Sequence, residues 1–102
     1  MVTGIPDVSS DFKAKIQSFP NPFNPQTTVV YTVPHQGLVT ISIYDAQGKH
    51  VRNLVAKDTT PGEHVTTWNG RNHKGAQVTS GVYFVRMTVG DQMASDKLVL
   101  LK

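Results

Sequence analysis

Four histidines are the side chains of this sequence best suited to metal binding or proton transfer. They are His35, His50, His64 and His73. Their separations show neither the i, i+4 spacing of a helical zinc site nor the alternate-residue spacing of a site on a strand. The sequence has no cysteine, which excludes thiolate ligands, cysteine nucleophiles and disulfides. The pattern favours surface positions for all four histidines and predicts neither a metal nor another cofactor.

Ser80, which precedes Gly81, is a candidate nucleophile. A hydrolase serine of this kind lies in a Gly-x-Ser-x-Gly turn that leads into a helix, and neither feature is present. No glycine-rich loop precedes a helical pattern, so nucleotide binding has no support. Asp45 and Asp91 lie in turn-forming sequences and are explained by turn chemistry. We therefore expect no enzymatic activity.

Trp68, the only tryptophan, has two interpretations. An exposed indole ring could serve as a platform for a carbohydrate. A single tryptophan in a strand that ends at an Asn-Gly turn more often packs at the core or lid of a sandwich. The second interpretation is favoured, and we expect Tyr44 and Tyr83 to pack in the same way.

Charge and hydropathy exclude two further classes. The 102 residues carry ten basic and seven acidic side chains, a net charge of +3 that is scattered along the chain. A nucleic-acid surface shows a dense basic stripe with aromatic residues between, and none is seen. No run approaches the roughly 18 apolar residues of a spanning helix. The first residues lack the basic and apolar regions of an export leader, which suggests a fragment of a longer chain.

Alternating apolar residues predict an all-β domain. Val39, Ile41 and Ile43 share one face of a strand and Tyr44 lies on the other. Helical periodicity is absent, and turn sequences recur every eight to twelve residues. We expect an immunoglobulin-like antiparallel β-sandwich of about seven strands. The predicted strands cover residues 12–17, 27–33, 38–44, 49–56, 64–68, 82–89 and 93–101, with a brief return to strand at Val78.

The chain divides into two parts in this interpretation. Residues 1–11 are rich in turn formers and read as a linker or a segment added for expression. Residues 12–102 form the sandwich. Within it, the three prolines of residues 20–25 exclude helix and central strand and predict a stiff loop, tethered by Phe23 at the sandwich edge.

The order of four motifs resembles the C-terminal sorting domains of the type IX secretion pathway. These motifs are Phe19-Pro20-Asn21-Pro22-Phe23-Asn24-Pro25, Ile43-Tyr44-Asp45 with Gly48-Lys49, Trp68-Asn69-Gly70-Arg71 with Ser80-Gly81-Val82-Tyr83-Phe84, and Lys97-Leu98-Val99-Leu100-Leu101-Lys102. The resemblance covers residues 19–102. The middle motifs are also similar to the immunoglobulin-like domain of the flagellar hook-capping protein.

The resemblance implies a non-catalytic domain that directs a larger, N-terminally fused cargo across the outer membrane to the cell surface. Its implied partners are an outer-membrane translocon and a sortase-like peptidase, and no nucleic acid. The domain itself is expected to be a monomer. Residues expected to contact the translocon are Gly81, Tyr83, Lys97, Leu98, Val99, Leu100, Leu101 and Lys102. Residues expected to build the motifs are Pro20, Asn21, Pro22, Phe23, Asp45, Gly48, Trp68 and Gly70.

The last strand carries most of this expectation. A buried strand that completes the sandwich would explain its apolar run. A terminal strand also offers unpaired backbone groups to a receptor by β-augmentation.

Two alternatives to the sorting role remain: an accessory structural or carbohydrate-binding module of an extracellular enzyme, and a hook-capping domain. Where relatives have acids beside the tryptophan, this chain has Asn69 and Asn72, so a cation site is not expected there.

Overall fold

The computed structural model describes residues 13–102, which form an all-β domain. Among these residues no helix is long and apolar enough to cross a membrane. The all-β prediction is confirmed. The seven strands are β1 (Lys15–Phe19), β2 (Thr27–Val33), β3 (Gly37–Asp45), β4 (His50–Thr59), β5 (Gly62–Trp68), β6 (Gly81–Val89) and β7 (Gln92–Leu100).

The strands form two antiparallel sheets. One sheet has three strands in the order β1-β2-β5, and the other has four in the order β4-β3-β6-β7. The chain crosses from one sheet to the other after β2, β4 and β5, so at these three points consecutive strands lie in different sheets. The predicted immunoglobulin-like sandwich is confirmed, and its last strand lies at a sheet edge.

The core lies between the two sheets because each strand turns alternate side chains inward. In β2, Val29, Tyr31 and Val33 are buried, while the residues between them are half-buried. The four-stranded sheet contributes its own inward residues from every strand. The fully buried apolar side chains include Phe23, Val29, Val33, Val39, Ile41, Ile43, Trp68, Val85, Met87, Val89, Leu98 and Leu100.

The strands at one end of the domain are longer than the sequence predicted. β4 continues to Thr59 because residues up to Thr59 stay paired with β3, where Thr59 faces Gly37. β5 begins already at Gly62, so the connection between the two sheets is short. The predicted return to strand at Val78 is reduced to an isolated antiparallel bridge between Arg71 and Gln77, in which the Val78 N–H donates to the Gly70 carbonyl at 2.9 Å. Residues 1–11 and Phe12 lie outside the described residues.

Candidate functional site at the C-terminal strand

The side chains of the last strand divide into a buried and an exposed set. Leu98 and Leu100 point inward and are 0% and 1% exposed. Lys97, Leu101 and Lys102 are exposed, the leucine to 52%. Val99, on the outer face with Lys97, is half-buried. Of the terminal residues expected to contact a translocon, Leu98 and Leu100 anchor the strand, and the three exposed side chains remain accessible.

The outer edge of β7 is bonded to the side chain of Asn21. Its Nδ2 donates to the Lys97 carbonyl at 2.6 Å, and its Oδ1 accepts from the Val99 N–H at 3.0 Å. The flanking prolines have no N–H to donate. The Asn21 carboxamide therefore supplies both the donor and the acceptor that a strand backbone would normally present.

Phe23 extends this pairing by one bridge parallel to β7. The Phe23 N–H donates to the Val99 carbonyl at 2.9 Å, and the Leu101 N–H donates to the Phe23 carbonyl at 3.0 Å. The Phe23 ring is 2% exposed and lies 5.5 Å from the Trp68 ring, centroid to centroid. The edge tether predicted for Phe23 is confirmed. Residues 20–23 are called the clamp segment below.

The clamp segment changes what the terminal strand can offer to a receptor. The backbone groups expected to be free for β-augmentation include the Lys97 carbonyl, both groups of Val99 and the Leu101 N–H. The structure shows all four engaged by Asn21 or Phe23. Pairing of another strand along residues 97–101 therefore requires displacement of the clamp segment.

Gly81 and Tyr83 lie at the start of β6, beside the end of β7. Gly81 pairs with Leu100 and has a φ of 153°, at the margin of a region that favours glycine. The Tyr83 hydroxyl donates to the Thr79 carbonyl at 2.7 Å, and its ring is 5% exposed. Tyr83 thus holds the loop before β6 and offers little surface to a partner.

Asp45 and Gly48 build the turn between β3 and β4. The Asp45 Oδ1 accepts from the N–H groups of Gln47 and Lys49, both at 2.9 Å. Gly48 has a φ of 86°, a conformation that residues with a Cβ rarely adopt. The carboxylate is therefore engaged in turn formation.

Trp68 and Gly70 lie under the loop that follows β5. The Trp68 ring is 0% exposed, and its Nε1 donates to the Arg71 carbonyl at 2.9 Å. This burial confirms the core interpretation and excludes a sugar platform at Trp68. Gly70 has a φ of 75°, and a Cβ at this position would meet the Pro25 carbonyl oxygen at 3.3 Å.

The loop after Trp68 is ordered by an asparagine side chain. The Asn72 Oδ1 accepts from the N–H groups of Lys74 and Ala76 at 2.9 Å and 3.0 Å. Across residues 13–102, no group of three or more His, Asp or Glu side chains is arranged to hold a metal ion. Asn72 therefore has a structural role in this loop.

Sequence reasoning missed a row of side chains on the outer face of the four-stranded sheet. The register of the paired strands places four residues side by side across β4, β3, β6 and β7, namely His50, Tyr44, Phe84 and Lys97. Arg86 lies over the Tyr44 ring, with its Cζ 4.6 Å from the ring centroid. A hydrogen bond from Arg86 lowers the pKa of Tyr44, although burial opposes the shift. Alternation within each strand places Tyr44 and Phe84 on outward-facing positions. The sequence does not show that their two strands, β3 and β6, are neighbours.

Several solved structures share the fold, and three of them are described here. Dimeric latent PorU from Porphyromonas gingivalis aligns with a TM-score of 0.74 at 21% identity, over 86% of this chain and 9% of that one. PorZ from the same organism, described as an essential bacterial surface component of the type-IX secretion system, aligns with a TM-score of 0.56 at 22% identity, over 85% of this chain and 11% of that one. FlgD from Xanthomonas campestris aligns with a TM-score of 0.59 at 20% identity, over 94% of this chain and 73% of that one.

The chain corresponds to a small part of PorU and PorZ, about a tenth of each. No curated protein matches it. A family model described as the FlgD Ig-like domain matches residues 25–92, which run from the end of the proline-rich loop through five of the seven strands, β2 to β6, to the first residue of β7. The chain therefore belongs to the FlgD Ig-like domain family.

Proposed function

We propose that this chain is a non-catalytic C-terminal sorting domain, which directs a larger cargo across the outer membrane to the cell surface. In this role the domain is the substrate of an outer-membrane translocon and then of a sortase-like peptidase. The cargo is fused at its N-terminal side, and the domain acts as a monomer. Binding and transport require an accessible surface on a stable fold and no reactive pocket.

The contact between the clamp segment and β7 carries this proposal. Residues 20–23 and 97–101 both lie outside the part of the chain that matches the FlgD Ig-like family, residues 25–92. Four hydrogen bonds join these two segments to each other. Two segments that the family model does not match therefore meet in one structure, a terminal strand held in a fixed position at the sheet edge.

The fold shared with PorU and PorZ supports the same proposal. The chain spans about a tenth of each of these long proteins, as expected for one module among several. PorZ is described as a component of the type-IX secretion system. The shared fold supports a role of this chain in the type IX pathway, and the terminal strand supports the more specific role of a sorting domain.

The exposed end of β7 is the surface that a translocon would contact. Lys97, Leu101 and Lys102 are accessible, whereas Leu98, Leu100 and Tyr83 are buried and maintain the fold. Deleting residues 98–102 would remove two core side chains together with the exposed terminus. The sharper variant is therefore Leu101→Ser with Lys102→Gln, which alters only exposed side chains and keeps the backbone hydrogen bond of Leu101.

The test fuses this chain to the C-terminus of a periplasmic reporter with its own leader, in a bacterium that has a type IX system. We expect the wild-type fusion at the cell surface and the Leu101→Ser/Lys102→Gln fusion in the periplasm. Surface proteolysis and cell fractionation measure the distribution. Because the varied side chains lie outside the core, the thermal unfolding midpoint of the purified domain should not change.

A matched control changes the same residue types elsewhere. Leu38→Ser with Lys57→Gln alters an exposed leucine and an exposed lysine near the opposite end of the four-stranded sheet. This control should reach the surface like the wild type. Equal surface exposure of both double variants, or periplasmic retention of the wild-type fusion, would refute the sorting role.

A hook-capping role is the second candidate, and family membership favours it. FlgD of Xanthomonas campestris, described in connection with hook capping, shares the fold over 73% of its length. In this role the chain would replace the corresponding domain of a FlgD protein. Restored swimming by such a chimera, together with unaltered export of the terminal variant above, would favour hook capping over sorting.

A further inference from the structure

The outer face of the four-stranded sheet carries an exposed aromatic ring at its centre. Phe84 is 39% exposed and lies between Tyr44 of β3 and Lys97 of β7. With the turn that follows β3, these strands border an open recess of about 500 Å³. Phe84 and Tyr44 both line this recess, so two neighbouring aromatic side chains form an apolar wall that a flat ligand can cover.

Arg86 is fixed beside this ring. It faces Ser95 of β7 on one side and Ser42 of β3 on the other, and its guanidinium lies over the Tyr44 ring. Stacking on an aromatic face leaves the edge of a guanidinium free to donate hydrogen bonds to a carboxylate. The site therefore combines a flat apolar surface with a held cation.

The charges of this face are predominantly positive. Arg86 and Lys97 lie on it. Asp58, opposite Leu38, is the one strand carboxylate in register with this face, and it lies toward the other end of the sheet. Asp45 also borders the recess and keeps its negative charge, while its Oδ1 accepts two backbone hydrogen bonds of the turn. Two cations therefore stand against one carboxylate around Phe84. The surface is therefore complementary to an anion.

We propose that this face binds a carboxylated polysaccharide, with Phe84 stacked against a sugar ring and with Arg86 and Lys97 bound to its carboxylates. A pyranose ring presents a flat face of polarised C–H groups, which the negative face of an aromatic ring attracts. A sugar acid places a carboxylate at the rim of that face. Glycan binding is thus assigned to this face and not to Trp68. The proposal does not depend on whether the domain is a sorting signal.

The topology favours a polysaccharide over an acidic peptide. β3 and β6 are paired on both sides, so their backbone groups are used within the sheet. A peptide that binds by strand addition needs a free edge, which the centre of this face does not provide. Recognition here relies on side chains, and a ligand with flat rings and regularly spaced carboxylates matches the side chains present.

The test is native affinity electrophoresis in gels that contain polygalacturonate, with titration calorimetry against trigalacturonate. We expect polygalacturonate to retard the chain and neutral dextran to have no effect. Phe84→Thr and Arg86→Gln should each weaken binding about tenfold, the loss typical of one aromatic or charged contact. Threonine keeps the strand preference of position 84, and Arg86→Gln provides a separate measurement on the same face.

Two controls make the same kinds of change on other strands. Phe19→Thr replaces an exposed phenylalanine of β1, and Lys15→Gln removes one positive charge from the same strand. Both should bind like the wild type. The proposal is overturned if polygalacturonate causes no retardation, if Lys15→Gln weakens binding as much as Arg86→Gln, or if polyglutamate binds as tightly as polygalacturonate.

Discussion

At the scale of single residues, Asn21 performs the task of a backbone amide. The prolines on both sides have no N–H to donate, and the Asn21 carboxamide supplies β7 with one donor and one acceptor. Trp68 connects separate parts of the chain in a comparable way. It packs against Phe23 and Tyr83, and its indole N–H closes the loop at Arg71. Each residue joins segments that lie far apart in sequence.

Gly70 gives a prediction at this scale. Gly70→Ala introduces a Cβ at a φ of 75° and places it 3.3 Å from the Pro25 carbonyl oxygen. Gly75→Ala is the matched control, because its φ is 85° and its Cβ would meet nothing within 4 Å. Both variants bear the positive-φ cost of about 1 kcal/mol. We expect Gly70→Ala to lower the free energy of unfolding further, as measured by urea denaturation. Equal losses would show that the loop accommodates the methyl group.

At the scale of elements, the clamp segment and β7 form one unit. The edge of a sheet presents unpaired backbone groups that promote aggregation. Here the clamp segment covers these groups along residues 97–101, while the exposed lysines at positions 97 and 102 flank them. Leu98 and Leu100 then hold the strand from its inner side. The last strand is thus held at its outer edge by the clamp segment and on its inner face by Leu98 and Leu100.

Asn21→Asp tests this unit. The change removes the Nδ2 donor and turns a carboxylate oxygen toward the Lys97 carbonyl, so we expect a loss of about 1 kcal/mol in the free energy of unfolding. The amide hydrogens of Val99 and Leu101 should also exchange faster, since they bond to the clamp segment. Hydrogen exchange with mass spectrometry or NMR measures this effect.

Asn24→Asp is the control for charge. Asn24 is exposed in the same proline-rich loop. This variant should leave exchange at Val99 and Leu101 unchanged. Faster exchange in both variants would mean that charge in the loop, and not the lost donor, loosens the strand edge.

At the scale of the whole molecule, the two sheets share one core. Trp68 belongs to the three-stranded sheet, and its ring lies 5.2 Å from that of Tyr83 in the four-stranded sheet. Neither sheet alone would shield its inner face from water, so separation of the sheets exposes the apolar surface of both. The domain should therefore unfold as one cooperative unit.

This cooperativity can be measured with the single tryptophan. Trp68 is 0% exposed, so its fluorescence should shift to longer wavelength on unfolding. We expect the urea transition followed by fluorescence to coincide with that followed by far-ultraviolet circular dichroism. Two separate midpoints would show that one sheet unfolds before the other.

The sequence by itself determined six of the seven strands, the turns and the buried tryptophan, whereas β1 runs over Lys15–Phe19 and not over the predicted residues 12–17. The period-two alternation of residues such as Ile41 and Ile43 is a local property, and so are the turns at Asp45 and Gly90. Strand ends were less predictable: β4 continues to Thr59 because β3 remains its partner, and beside Val78 only a single β-bridge, between Arg71 and Gln77, forms instead of a strand. Both outcomes depend on contacts with distant residues.

Only the tertiary structure decided which strands became neighbours, and this fixed both candidate surfaces. Tyr44 and Phe84 lie forty residues apart in the chain and become adjacent because β3 pairs with β6. Asn21 reaches Val99 because β7 occupies the sheet edge beside the clamp segment. Alternation specifies the face on which a side chain lies, but pairing between distant strands depends on how the whole core is filled.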